Sequence, residues 1–315
     1  MSQNIKKGYD KYGLFLILFL ISGFFGILNN NFFSLYNIQN IFKQSSINGL
    51  LAFGMTFVIL IGCIDLSVGS ILALVGYFVG IMLVTFKLPI ALVLPLGLVL
   101  GVFLGSLNGV LVAKTKLQPF IATLVTMTIY RGITLIVSNG LPVRNINNVS
   151  TFMKYINRGE IINLPISMIV YLGVFGVLWF LLGKTVFGKH LYATGGNEEA
   201  ARLSTVPTNK IKIIAYSVSG FLSALAAILY AARYNSIYPN AGQGAELDAI
   251  AAVVIGGTSM SGGKGKILGT LIGALIIGIL NNGLNLLGVS SFYQEVIKGV
   301  VILFAVIADR KKLGL

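Results

Sequence analysis

Apolar residues run along this chain in long stretches separated by short polar punctuation. The stretches lie near 12–28, 44–62, 67–86, 89–113, 119–138, 166–183, 212–232, 248–258, 267–287 and 293–308. A helix needs about 20 apolar residues to cross a hydrocarbon layer of about 30 Å. Most of these stretches meet that length, and none shows the ten-residue alternation of a membrane barrel. The eighth, 248–258, is too short for a full crossing and suits a broken or re-entrant helix. The pattern predicts an all-α polytopic membrane protein with ten spans, nine and eleven being the alternatives. Residues 1–315 form a single transmembrane domain on this reading, because the longest polar stretches, near 139–165 and 184–211, are too short to build a core of their own.

Composition agrees. Of 315 residues, 56% are hydrophobic and 10% charged, with a mean hydropathy of +0.89. About 25% charged is usual for a soluble domain, so a soluble enzyme, a nucleic-acid-binding domain and a disordered chain are excluded. The net charge of +14 reads as cations placed where spans meet the cytoplasm. With ten spans and an inner N-terminus, fifteen cations fall inside: Lys6, Lys7, Lys11, Lys114, Lys116, Lys184, Lys189, Arg202, Lys210, Lys212, Lys264, Lys266, Arg310, Lys311 and Lys312. Six fall outside: Lys43, Lys87, Arg144, Lys154, Arg158 and Arg233. That asymmetry predicts two cytoplasmic termini. The N-terminus has the cations and apolar run of a secretion signal but no small-residue cleavage site, so it reads as a retained first helix.

Catalytic chemistry is not visible. Cys63 and His190 are single, which leaves no disulfide and no His-based metal site. Gly263-Lys264-Gly265 lacks the hydroxyl residue of a phosphate loop, and Gly183-Lys184-Thr185 lacks its first glycine. No paired acid and base appears, so no catalytic residue, metal ligand or cofactor is assigned to this chain.

Glycine carries a packing signal. Gly97, Gly101, Gly105 and Gly109 recur every four residues and form one bare stripe on a helix, where a second backbone can approach closely. Gly76 with Gly80, and Gly269 with Gly273, repeat the spacing. Tight packing is the reading, a moving seam its alternative.

The polar loop contains Gly195-Gly196-Asn197-Glu198-Glu199-Ala200-Ala201-Arg202-Leu203-Ser204. The glycines are expected to break the preceding structure, Asn197 to cap a helix, and Glu198 and Glu199 to suit its positive first turn. A helix of about two turns is too short to hold alone, so it either packs into a partner or is a plain connector. Elsewhere, Asp65 is expected to cap the third helix, with a gate as the alternative. Asn281 and Asn285 share a helix face, and with Asn282 they serve either interhelical hydrogen bonds or a neutral polyhydroxylated solute. Glu295 and Lys298, three apart, are expected to neutralise each other. Arg131 has no local partner and is left to a neighbouring helix or to snorkelling.

The loop resembles the coupling loop of permeases in bacterial sugar-importing ABC transporters, with its Gly-x-Asn-x-x-Ala-Ala-Arg-x-Ser pattern. Gly62-Cys63-Ile64-Asp65-Leu66-Ser67-Val68-Gly69-Ser70, Phe120 to Leu124, Ile255 to Gly265 and Asn281 to Gly288 agree in order with the ribose-type branch. Thr205, where a glycine is usual, and Pro207 depart from it. The resemblance implies a permease subunit of the inner membrane, paired with a second permease copy. Gly196 to Ser204 would dock on a separate ATPase subunit, which holds ATP and Mg, and an extracytoplasmic sugar-binding protein would deliver ribose or a similar sugar. Asp65, Ser67, Asn281, Asn282 and Asn285 are, on their own chemistry, the candidates for the path or gate. Arg144, Lys154, Arg158, Arg233, Glu246 and Asp248 are candidates for the binding protein's docking rim, as is Glu160. Xylose, galactose and an autoinducer sugar are alternative cargoes; a self-contained secondary transporter is the runner-up class.

Overall fold

The computed structural model describes residues 2–115 and 117–313. Lys116 and Leu315 lie outside the described residues, as do the side chains of Lys6, Lys7, Lys11, Arg310, Lys311 and Lys312. Fourteen helices are described: α1 (Ser2–Leu28), α2 (Leu35–Leu60), α3 (Val68–Val84), α4 (Ile90–Lys114), α5 (Pro119–Ser138), α6 (Ile146–Val149), α7 (Thr151–Arg158), α8 (Ile166–Lys184), α9 (Val186–Gly196), α10 (Glu198–Leu203), α11 (Thr208–Tyr234), α12 (Ala245–Ile255), α13 (Ile267–Leu286) and α14 (Ser291–Leu313). Each of the ten apolar stretches is helical. Among the described residues α4, α5, α8, α11 and α13 are long and apolar enough to cross a membrane, and Gly13–Leu28 and Val68–Val84 are shorter apolar helices. The second stretch begins earlier than its hydropathy suggests, because Ser34 accepts from the Asn37 N–H and starts α2 there.

Four short strands make two ribbons. β1 (Val143–Arg144) pairs with β4 (Ser236–Ile237), and β2 (Glu160–Ile161) with β3 (Leu164–Pro165), both antiparallel. The β2–β3 turn places Ile162 and Asn163 at positive φ, the backbone twist that a two-residue hairpin needs.

α2 and α11 run through the middle of the bundle, and Leu50, Phe53, Phe57 and Leu60 of α2 and Tyr216 of α11 are fully buried. Gly101, Gly105 and Gly109 of the α4 stripe lie against α11, whereas Gly97 faces Val79 and Val75 of α3. A Cβ on Gly101 would meet Ala224 and the Gly220 carbonyl, one on Gly105 the carbonyl of Tyr216, and one on Gly109 the backbone of Ile213. Partner numbers fall as the stripe's rise, so the two helices are antiparallel. α12 and α13 pack the same way, Gly256 against Gly269 and Ala252 against Gly273. Gly76 and Gly80 admit Ile237 of β4 against α3. Lipid gives apolar side chains no reason to seek each other, so these close backbone contacts supply the dispersion that holds the helices.

Candidate functional sites

At one end of the bundle α8 turns into α9 and α10. Thr185 caps α9, its hydroxyl accepting from the Gly188 N–H. Gly195 and Gly196 do not break the chain: both lie in the last turn of α9, and the break falls at Asn197. For Gly195 smallness serves packing, whereas a Cβ on Gly196 would meet nothing within 4 Å. A Cβ on Gly195 would strike the Leu60 carbonyl at the end of α2, and one on Gly263 would strike Gly196. The Gly263 N–H donates to the Leu60 carbonyl at 2.9 Å, so three backbones meet at one point: the ends of α2 and α9, and the loop leading to α13.

Asn197 caps α10 as expected, its side-chain oxygen accepting from the Ala200 N–H at 2.9 Å. Glu198 binds Lys212 of α11 at 2.7 Å and Arg202 at 3.3 Å. Partial burial pushes the Glu198 carboxyl up, but the Lys212 hydrogen bond and the charges of Lys212 and Arg202 outweigh it and hold the group below its ordinary range. The helix has two faces. Ala201 is buried against the chain, whereas Glu199, Ala200, Arg202, Leu203 and Ser204 are exposed, Leu203 by 83%. The adjacent alanines therefore do different work, which their composition does not reveal.

Asp65 and Ser67 are completely buried. The cap position of α3 belongs to Ser67, and Asp65 does not cap the helix. Its carboxylate accepts instead from the Ser67 N–H (3.0 Å), the Ser67 hydroxyl (2.6 Å) and the Ser219 hydroxyl of α11 (2.9 Å). Asn108 of α4 donates to the Ser67 hydroxyl at 2.7 Å, and Tyr130 of α5 donates to Asn108 and to the Leu104 carbonyl. This polar knot ties α3, α4, α5 and α11 together. Asn108, the one amide in the apolar helix α4, was its signal in the sequence; Ser219, one of three serines in the middle of α11, was not distinguishable there.

The asparagines of α13 separate. Asn282 exchanges two amide hydrogen bonds with Asn37 of α2, at 2.9 and 3.0 Å, and so holds helices together. Asn281 and Asn285 instead face a cavity of about 510 Å³ between α2, α12, α13 and α14. Asp248 lines it too. Lys298 does not pair with Glu295; its ammonium lies 3.2 Å from both oxygens of Asp248, while Glu295 has no ion pair among the described residues. Helix α14 packs against α12, which brings the carboxylate fifty positions away nearer than the one on the next turn. Asn281 donates to Asp248 at 3.2 Å, and Asn285 accepts from Gln294 at 2.8 Å.

Only part of the expected rim is at the surface. Arg144, Lys154, Arg158 and Glu160 are exposed near the two ribbons. Arg233 is half-buried over the Tyr234 ring, and Glu246 folds back to accept from the Gly244 N–H. Asp248 is buried in its ion pair. Arg131 uses the loop before α12, donating to the carbonyls of Pro239 (2.7 Å) and Ala241 (2.8 Å).

A bundle of apolar helices sealed by glycine contacts, with a polar knob at one end and buried charges beside a cavity, is the build of a membrane transport component. The chain belongs to the branched-chain amino acid transport system / permease component family, whose pattern it matches over residues 37–306. It is 52% identical over 303 residues to the ribose import permease protein of Bacillus subtilis, covering 96% of this chain and 94% of that one. Against the ribose import permease protein of Haemophilus influenzae it is 51% identical over 297 residues, 94% and 91% of the two chains. Against the D-allose transport system permease protein of Escherichia coli it is 42% identical over 317 residues, 98% and 94%. No solved structure matches the chain.

Proposed function

We propose that this chain is the membrane subunit of an ATP-driven ribose importer of the bacterial inner membrane. About half of its residues match those of ribose import permeases along nearly their whole length, against 42% for the allose permease, and this difference carries the reading. The ten apolar helices are ten spans of a single permease domain, with α12 short, and the end that carries α9 and α10 is cytoplasmic, as are both termini. The Lys and Arg asymmetry supports that orientation. A C-terminal periplasmic phosphatase fusion should be inactive; an active one would reverse it.

On this reading α10 docks on a separate ATPase subunit, which binds ATP and Mg. Its exposed Ala200 and Leu203 form the apolar centre of the contact, and Glu199 and Arg202 the polar rim. A push on α10 reaches the ends of α2 and α13 through the backbone contact at Gly195, Leu60 and Gly263, which has no side chain to absorb it. Two permease copies receive two such pushes. A binding protein delivers the sugar at the opposite end, where Arg144, Lys154 and Arg158 set its register. Vesicles containing permease, ATPase and binding protein should accumulate labelled ribose with ATP, and excess unlabelled ribose should compete better than allose or xylose. Uptake displaced best by another sugar would move the substrate assignment. Uptake driven by an ion gradient without the ATPase would overturn the class.

A further inference from the structure

The cavity beside Asp248 holds more polar capacity than the packing of four helices needs. Asn281 is 3% exposed and Asp248 6%. A carboxylate only accepts, so the Asn281 amide must turn its nitrogen to Asp248, as it does. That orientation leaves the Asn281 carbonyl oxygen buried with no hydrogen-bond partner. A buried unpaired acceptor carries its full desolvation penalty, and buried charges inside a membrane domain persist mainly where a path requires them. The volume of about 510 Å³ is that of a small-molecule site.

The lining identifies the ligand class. It combines amides (Gln44, Asn48 and Asn285), a second carboxylate (Glu295), tyrosines and glycine backbone, with no Leu, Ile, Val or Phe. A branched apolar side chain would find no complement there. A neutral polyol would: its vicinal hydroxyls donate to carboxylate and amide oxygens and accept from amide and ammonium hydrogens. We propose that this cavity is a transit site for one monosaccharide within the membrane domain. Asp248 and the free oxygen of Asn281 accept the sugar's hydroxyl hydrogens. Lys298 is the internal partner that keeps Asp248 compensated while no sugar is present, and it yields one carboxylate oxygen when a sugar arrives. The proposal rests on the sugar-permease reading.

Its test uses the permease with its ATPase and binding protein in vesicles, with Cys63→Ala and Gln243→Cys placing one thiol on the cavity wall. Ribose, allose or xylose at high concentration should slow labelling of that thiol by a charged thiol reagent, and leucine should not. Asp248→Asn and Asn281→Leu should abolish the protection and lower the maximal uptake rate roughly tenfold, the factor that a hydrogen bond to a charged group supplies. ATPase co-purification should stay unchanged. Labelling that no sugar slows, in vesicles that still accumulate ribose, overturns the transit site and leaves the proposed function standing. Vesicles that accumulate no ribose, in which another sugar nevertheless protects the thiol, overturn the ribose assignment and support the site. Protection by leucine alone makes the cavity an amino-acid site and overturns the proposal. If either variant fails to assemble, protection in the chain with native Asp248 and Asn281 decides.

Discussion

The α4–α11 seam and the cavity beside α12, α13 and α14 solve the same problem by opposite means. In the seam Gly101, Gly105 and Gly109 bring two backbones into direct contact, with no ion pair and no empty space. Beside the cavity α12 and α13 still touch through Gly256, Gly269 and Gly273, but Asp248, Lys298 and Asn281 bridge α12, α13 and α14 with polar bonds of 3.2 Å. Backbone contacts have one good distance and lose their dispersion energy steeply away from it. Polar bridges can exchange partners. The contrast separates a seam whose spacing is set by backbone contact from a region held by polar bonds, and α11, which packs on α2, α3 and α4, belongs to the first.

The largest expected effect tests the seam. Gly105→Leu puts a side chain against the Tyr216 carbonyl and the Gly220 backbone, neither of which can rotate away. Overpacking typically costs about 1–3 kcal/mol where side chains can yield, so this variant should lose most of its folded fraction in mild detergent. Gly173→Leu, with nothing within 4 Å of its site, should leave the folded fraction unchanged. Equal yields would mean that the seam is not under constraint.

A smaller effect, confined to assembly, separates the two faces of α10. Ala200→Glu should insert normally yet lose ATPase co-purification and uptake, since an unpaired charge buried at an interface costs several kcal/mol. Ala201→Glu should also lower the permease's own thermal stability, because that alanine is already buried in the chain. Matching thermal stability in the two variants would remove the distinction between the faces, and intact ATPase binding in both would make the loop a passive connector.

The smallest effect concerns the tether of α10 to α11. Lys212→Ala should speed hydrogen exchange at the Ala200 and Ala201 amides no more than a few-fold, since partly exposed ion pairs contribute less than about 1 kcal/mol. The Glu198 pKa is depressed in the fold, so this contribution is complete above the ordinary Glu pKa and disappears only as pH falls through the lowered one. The difference between variant and parent should therefore hold between about pH 5 and 7 and vanish in stronger acid. A difference that already vanishes near neutrality would show that Glu198 is not the partner.

Several local readings stood because they depend on chain neighbours alone. The ten apolar stretches are helical, and Asn197 caps α10. Others failed where two plausible local partners competed. Glu295 is one turn from Lys298 in sequence, yet α12 supplies Asp248 instead. Gly195 and Gly196 suggest a helix break because glycine is flexible, yet both complete α9, and Gly195 matters because it is small. Asp65 precedes a helix as a cap would, yet its carboxylate also reaches Ser219, far along the chain.

Hydropathy, read along the chain, was enough to give the class of molecule and the places of its apolar helices, because it acts residue by residue on a chain facing lipid and water. The tertiary structure alone decided which alanine of α10 faces outward, which asparagines line a cavity and which charge Lys298 meets. Those outcomes depend on how helices rotate and pair, and in a membrane such rotation is set by backbone fit and polar partners that lie far apart in the chain.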